Sequence, residues 1–238
     1  MSALSSSLPS PRLDYPESDG QPMADNTKQF EWIVILKGGL DAVFRDDPNV
    51  FIAGDLLWYP VEGHPEIRQA PDVLAALGRP KGHRRSYLQW EEGNVAPQVV
   101  FEVLSPGNPP GEMVRKFKFY DRYRVEEYYV YDPDTEVLDG WLRQGHELQD
   151  IAEMNGWVSP RLGIRFDLST QKLQVFGPDG RRFASFVEVA AQRDQEEKAR
   201  IEAQRQAAEA QRQAAEALAK AERLAAQFKA LGIEPQRD

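Results

Sequence analysis

The sequence predicts an α/β domain, a mixed β-sheet flanked by helices, followed by one long C-terminal helix. Three observations carry that prediction. The apolar run VVFEVLSP (99–106) favours a buried strand, and the breaker PGNPPG (106–111) separates it from the amphipathic stretch EMVRKFKFYDRYR (112–124). Beyond residue 125, apolar and polar residues alternate between turn signals, the pattern of antiparallel strands. From about Ala190, Gly, Pro and aromatics nearly vanish and AQRQAAE occurs twice in tandem, at 203–209 and 210–216.

Taken in order, residues 1–27 are rich in Ser, Pro and Asp and lack both the basic and the apolar region of a signal peptide, so they read as a disordered leader. QFEWIVILKGGLDAVFRD (29–46) reads as a helix weakened by Gly38 and Gly39. VFIAGDLLWYP (50–60) reads as one strand and APDVLAALG (70–78) as a second, with a short helix open as the alternative for the latter. RRSYLQWEEGNVAP (84–97) is a loop with a strand piece. VEEYYVYDPD (125–134) is a strand ending in a turn, and the segments 138–151, 157–168 and 172–182 form a meander. The domain is thus expected over 28–190, a helical coiled-coil tail over 191–232 and a disordered end over 233–238.

The tail carries a heptad seam. Alanines at 203, 207, 210, 214, 217 and 221 follow four-three spacing, continued by Leu224, Phe228 and Leu231. Gly232 and Pro235 read as the helix stop. A methyl group buries little area, so the alanine part pairs weakly and the bulky end anchors any partner. Self-association through 191–232, a solvated single helix and packing on the chain's own domain all remain open.

Composition narrows the function. The 238 residues include no Cys, which removes disulfides, thiolate metal sites and a cysteine nucleophile and fits a cytoplasmic protein. Net charge is −9, which disfavours a non-specific DNA-coating role, because that binding needs Lys and Arg to release counterions. It disfavours a metal-dependent nuclease less, since there the cation supplies positive charge. No run of about 18 apolar residues occurs, so no membrane span is expected.

The chemistry centres on Glu102, a carboxylate inside an apolar strand. A buried ionised acid costs several kcal/mol unless paired or bound to metal. The plain reading is an acid paired with an Arg or a backbone donor. Asp72, after Pro71 at the head of another apolar run, converges on Glu102 if the two strands are neighbours, and a hard divalent cation would then relieve their repulsion. Glu112, Lys116 and Tyr120 lie at i, i+4 and i+8 on one helical face, which the short turn returns towards the strand end. Alone, Glu112 and Lys116 would be a surface ion pair. Asp55 is a further acid among apolar residues, with a turn-end role as its alternative. His64, His83 and His146 sit in Gly-containing loops without zinc-ligand spacing, and KGHRR (81–85) is the dense basic patch outside the tail, read as a solvated loop before a phosphate contact.

With these residues in place, a resemblance appears. PD at 71–72, EVLSP at 102–106, the set Glu112, Lys116 and Tyr120, and VEEYYVYDP at 125–133 resemble the Uma-two family, restriction-endonuclease-like proteins of the PD-(D/E)XK nuclease superfamily. The likeness runs over about residues 30 to 190 and includes FIAGDLLWY (51–59), RSYLQWEEG (85–93) and the tail end LGIEP (231–235). The resemblance implies a restriction-endonuclease-like fold and metal-assisted hydrolysis of phosphodiester bonds, in DNA, with RNA as an alternative substrate. It implies that Asp72, Glu102 and the backbone carbonyl of Val103 hold Mg²⁺ or Mn²⁺, with Lys116 orienting the attacking water or neutralising the transition state. Tyr120 would pack on or hydrogen-bond Lys116, with Glu112 and Asp55 as supporting acids. Two departures stand out. The superfamily's E-x-K lysine position is Leu104 here, and the resemblance implies that Lys116 on the next helix replaces it. The family more often carries Asp where Glu112 stands. The alternative is a non-catalytic interaction protein that keeps the fold and works through its tail.

Overall fold

The computed structural model describes residues 14–18, 20, 22–170 and 172–230. The chain divides into two units, Met1–Ser185 and Phe186–Asp238.

The first unit opens with helix α1, Thr27–Val43. Asn26 caps it by accepting from the Gln29 backbone N–H, and Ile33, Leu36 and Leu40 form its buried stripe. Gly39 does more than weaken this helix. A Cβ there would stand 2.1 Å from the Phe183 ring, so only glycine lets that ring pack on the helix. Next come β1 (Val50–Gly54) and β2 (Trp58–Tyr59). The single strand expected over 50–60 is broken because Asp55 takes a left-handed turn, φ +48°. The remaining strands are β3 (Val73–Leu77), β4 (Tyr87–Leu88), β5 (Val99–Val103), β6 (Glu127–Asp132), β7 (Val137–Gln144), β8 (Glu147–Asp150), β9 (Arg165–Asp167) and β10 (Gln174–Phe176). Residues 73–77 are therefore a strand, and the helical alternative falls. Helix α2, Pro110–Arg122, joins β5 to β6.

Six strands form the main sheet in the order β1-β3-β5-β6-β7-β8. The β5–β6 pair, linked by the α2 crossover, is parallel and its other pairs are antiparallel. Both faces are covered. On one face Val73, Val99, Phe101, Tyr129 and Tyr131 pack with α1 and with the 154–183 region. On the other Leu74, Val100, Tyr128 and Val130 pack with Tyr120 of α2 and with Trp58 and Tyr87. Two-sided burial is why all five residues of β5 are buried and its sequence is apolar at every position but Glu102.

The described part of the expected leader is not disordered. The Tyr15 ring meets those of Tyr59 and Trp90, its hydroxyl accepts from Gly63 N, and the Pro16 carbonyl accepts from the Tyr59 hydroxyl. Aromatic anchors outweigh the polar composition there. The rest of the leader, like the expected end at 233–238 and the stop at Gly232, lies outside the described residues.

The second unit is helix α3, Phe186–Ala230, which begins upstream of the expected tail and has no buried residue. Among the described residues no helix is long and apolar enough to cross a membrane.

Candidate active site

The register of β3 and β5 builds the site. Val73 pairs with Phe101 and Leu74 with Val100. One step further along that antiparallel register, Asp72 stands opposite Glu102. Alternation along both strands turns these two residues to the face that carries Leu74 and Val100, which is the face covered by α2. The Asp72 carboxylate reaches across and accepts from the Val103 backbone N–H at 2.6 Å.

Helix α2 supplies the counter-charge. Lys116 Nζ donates to Glu102 Oε2 at 2.8 Å, and the Tyr120 hydroxyl donates to Glu102 Oε1 at 2.5 Å. The i, i+4 spacing thus places one donor on each carboxylate oxygen. The resemblance puts Tyr120 against Lys116; its hydroxyl instead serves Glu102. The Glu102 and Lys116 side chains are 2% and 11% exposed, so this pair is buried. Glu112 Oε1 lies 3.6 Å from Lys116 Nζ, nearer the surface.

These contacts set the protonation states. Burial, then the Glu102 charge, push the Asp72 carboxyl well above the usual Asp range; Lys116 and the Val103 N–H only partly oppose them. For Lys116, burial favours the neutral amine, but the charges of Glu102 and Asp72 outweigh it and push the pKa up. Lys116 therefore stays cationic at neutral pH. Tyr120 stays protonated, because burial and Glu102 both disfavour its phenolate.

A polar cavity of about 380 Å³ opens on the group, lined by Asp25, Gln29, Asp55, Asp72, Glu112 and Lys116 among others. Glu102 lies one layer deeper. Asp55 enters through the backbone, its N–H donating to the Asp72 carbonyl at 3.2 Å, and its charge adds to the rise of Asp72. Sequence reasoning missed Gln29. Its side-chain amide donates to the Val103 carbonyl at 2.8 Å and its oxygen accepts from Asp25 N. A buried Gln in the first turn of an apolar helix was the available signal.

The donor set suits a hard divalent cation in kind: oxygen ligands with acidic charge in excess of Lys116. Among the described residues no three His, Asp or Glu side chains are grouped to hold a metal ion, so a cation at Asp72 and Glu102 would need a backbone donor such as the Val103 carbonyl as its third ligand. Glu102 and that carbonyl already accept hydrogen bonds, and each retains lone pairs for a further partner.

The other candidates lie apart from this group. Glu92 binds both Arg79 and Arg84, and the Arg84 guanidinium stacks 3.8 Å over Phe51, so Arg84 is a structural clamp, while Lys81, His83 and Arg85 are exposed as in a solvated loop. His64 pairs with Glu66 and His146 meets Arg124; both rings serve local loop contacts. A second buried acid, Glu127, accepts from Ser159 Oγ, the Tyr129 hydroxyl and Arg161 N, which pins the 159–162 turn to β6.

A family model described as "Uma2: Putative restriction endonuclease" matches residues 9–175. Among solved structures the chain is similar to a crystal structure described as "a putative nuclease belonging to DUF820 from Anabaena variabilis ATCC 29413", with 14% identity, 57% of this chain and 72% of that chain covered, and a TM-score of 0.42. No curated protein matches the chain.

Proposed function

The chain belongs to the Uma2 family, whose description is "Putative restriction endonuclease", and from that premise we propose that it is a Mg²⁺- or Mn²⁺-dependent endonuclease hydrolysing phosphodiester bonds in DNA. One observation supports the reading above others: a lysine that stays cationic donates to the buried Glu102, within the field of Asp72, at the wall of a polar cavity. An acid beside a fixed cation is the arrangement that metal-assisted phosphate chemistry needs.

Asp72, Glu102 and the Val103 carbonyl would hold the cation, which when bound supplies Lewis-acid activation of water and charge neutralisation at phosphate. The chain's own residues do the rest. Glu102 fixes the Lys116 ammonium group in one place. Because Lys116 remains protonated, it acts as a donor and a charge towards a phosphate oxygen, not as the base. Tyr120 holds the second Glu102 oxygen and keeps the carboxylate from rotating. Asp72 holds the Val103 N–H and Gln29 holds the Val103 carbonyl, which fixes the backbone on both sides of this residue's Cα.

The test is cleavage of supercoiled plasmid and of single-stranded RNA by the full chain with Mg²⁺ or Mn²⁺, alongside Lys116→Met and Glu102→Gln. The expected outcome is DNA cleavage that falls by about 10²-fold or more in both variants, as for loss of a transition-state donor. Cleavage of RNA alone would move the substrate class. No cleavage by the wild type, or full cleavage by Lys116→Met, would remove the proposal. Helix α3, which has no buried residue, supports a role in self-association beside the catalytic one.

A further inference from the structure

We infer that α3 pairs with α3 of a second copy in antiparallel orientation, in the register that sets Ala207 opposite Ala210. The four-three seam does not begin at Ala203. Because the helix starts at Phe186, the seam reaches upstream through Arg200, Glu196 and Arg193 to Val189 and Phe186. Its large apolar residues are uncovered: Phe186 is 81% exposed, Val189 41%, Leu224 48% and Phe228 41%. A helix about 67 Å long, at 1.5 Å per residue, with both ends of one stripe apolar, has a face that a second helix can cover.

Charge chooses the orientation. In a parallel in-register pair, Arg193, Glu196 and Arg200 would each meet its own copy in the seam, three like-charge contacts in succession. In the antiparallel register they meet Leu224, Ala221 and Ala217 instead. Each long charged side chain then lies across a smaller apolar residue, with its stem on the seam and its head in water. The rows flanking the seam do not compete with this choice. Apart from Glu197 and Lys220 they carry no charge, and are mostly Gln and Ala, for example Gln192, Gln204, Gln206, Gln211 and Gln213.

Size agrees with charge. The same register sets Ala203 opposite Ala214 and Ala207 opposite Ala210, so the middle of the pair is methyl against methyl. Helices with such an interface approach to about 8 Å, where backbone dispersion replaces the missing side-chain area. At each end Val189 meets Phe228, and these two clusters close the pair. A partner of different sequence would have to reproduce this mirrored pattern; a second copy carries it already.

The chain has no Cys, so introduced thiols report without background. Ala203→Cys and Ala214→Cys, both at exposed helix positions, are made in the full chain, then oxidised with glutathione separately and mixed. The expected result is a disulfide dimer containing one copy of each variant, absent from either variant alone, with the wild type sedimenting at twice the chain's 27.0 kDa. Self-crosslinking of each variant would mean a parallel pair and overturn the inference. So would a monomer in sedimentation equilibrium at every soluble concentration. Replacing Arg193, Glu196 and Arg200 together by Leu removes what disfavours the parallel pair, and self-crosslinked Ala203→Cys should then appear. None of these readouts depends on nuclease activity.

Discussion

Replacing Lys116 by Met tests the buried ion pair independently of any enzymatic assay. The substitution keeps the stem and deletes the charge that faces Glu102 at 2.8 Å. Glu102 is 2% exposed, so water cannot take over. Removing one partner of a buried pair costs about 3–5 kcal/mol. One contact lowers that figure and one raises it. The Tyr120 hydroxyl still donates to Glu102, while Asp72, opposite Glu102, loses the cation that offset their repulsion. The retained bond and the freedom of a buried acid to take up a proton point to the lower end, about 3 kcal/mol. For a domain of this size that corresponds to roughly 6–12 °C in melting temperature. Urea and thermal unfolding at pH 7 measure it. The double variant with Glu102→Gln should recover about 2 kcal/mol, because the uncompensated charge is gone. A loss below about 1 kcal/mol for Lys116→Met, the scale of a surface pair, would refute the assigned burial. So would strict additivity in the double-mutant cycle.

Two further outcomes follow from the neighbours of this pair. Gln29→Ala orphans the buried Val103 carbonyl and should cost about 1–3 kcal/mol in urea unfolding, with no loss if water takes the place of the amide. Asp72→Asn should raise the melting temperature of the metal-free protein at neutral pH. The folded-state pKa of Asp72 lies well above its unfolded value, so the native state binds more protons between the two, and wild-type stability falls as pH rises through that window. Melting curves of both proteins from pH 4 to 8 should therefore coincide at the acid end and diverge upward, with the Asp72→Asn variant the more stable; parallel curves would contradict the raised pKa. Added Mg²⁺ should stabilise the wild type and leave the variant unchanged.

The parts of the fold legible in the sequence are those whose causes are local. Strand β5 shows as an apolar run because both of its faces are buried, and α2 shows because the breaker before it and the spacing of Lys116 and Tyr120 are written in consecutive residues. What failed depends on distant partners. Gly39 reads as a helix weakener until Phe183, far along the chain, is seen to occupy the place of its Cβ. Gln29 shows only as a polar residue in the first turn of an apolar helix, and its role stays hidden because its partner Val103 is 74 positions away. The break at Asp55 needs a left-handed residue that propensity alone does not single out. The same limit applied inside the site. Sequence named Asp72, Glu102 and Lys116, yet their approach hangs on β3 being the antiparallel neighbour of β5, a pairing that no spacing encodes.

The buried acid and its lysine sit on different elements, Glu102 on β5 and Lys116 on α2, while Leu104, two residues after Glu102, packs in the apolar cluster beneath α2. Along the chain Lys116 is linked to Glu102 through the turn at 104–109, so the accuracy of the pair depends on that turn as well as on the packing of α2 on the sheet. The turn is correspondingly fixed. Asn108 Oδ1 accepts from Ser105 N at 2.8 Å, and the Ser105 hydroxyl donates to Asp25 at 2.6 Å. Asp25 in turn donates its N–H to Gln29, whose amide holds the Val103 carbonyl. A closed chain of bonds thus runs from the residue after Glu102, through the segment preceding α1, to the start of the turn that carries α2. The segment read from composition as a leader is part of what sets the distance between the acid and its lysine.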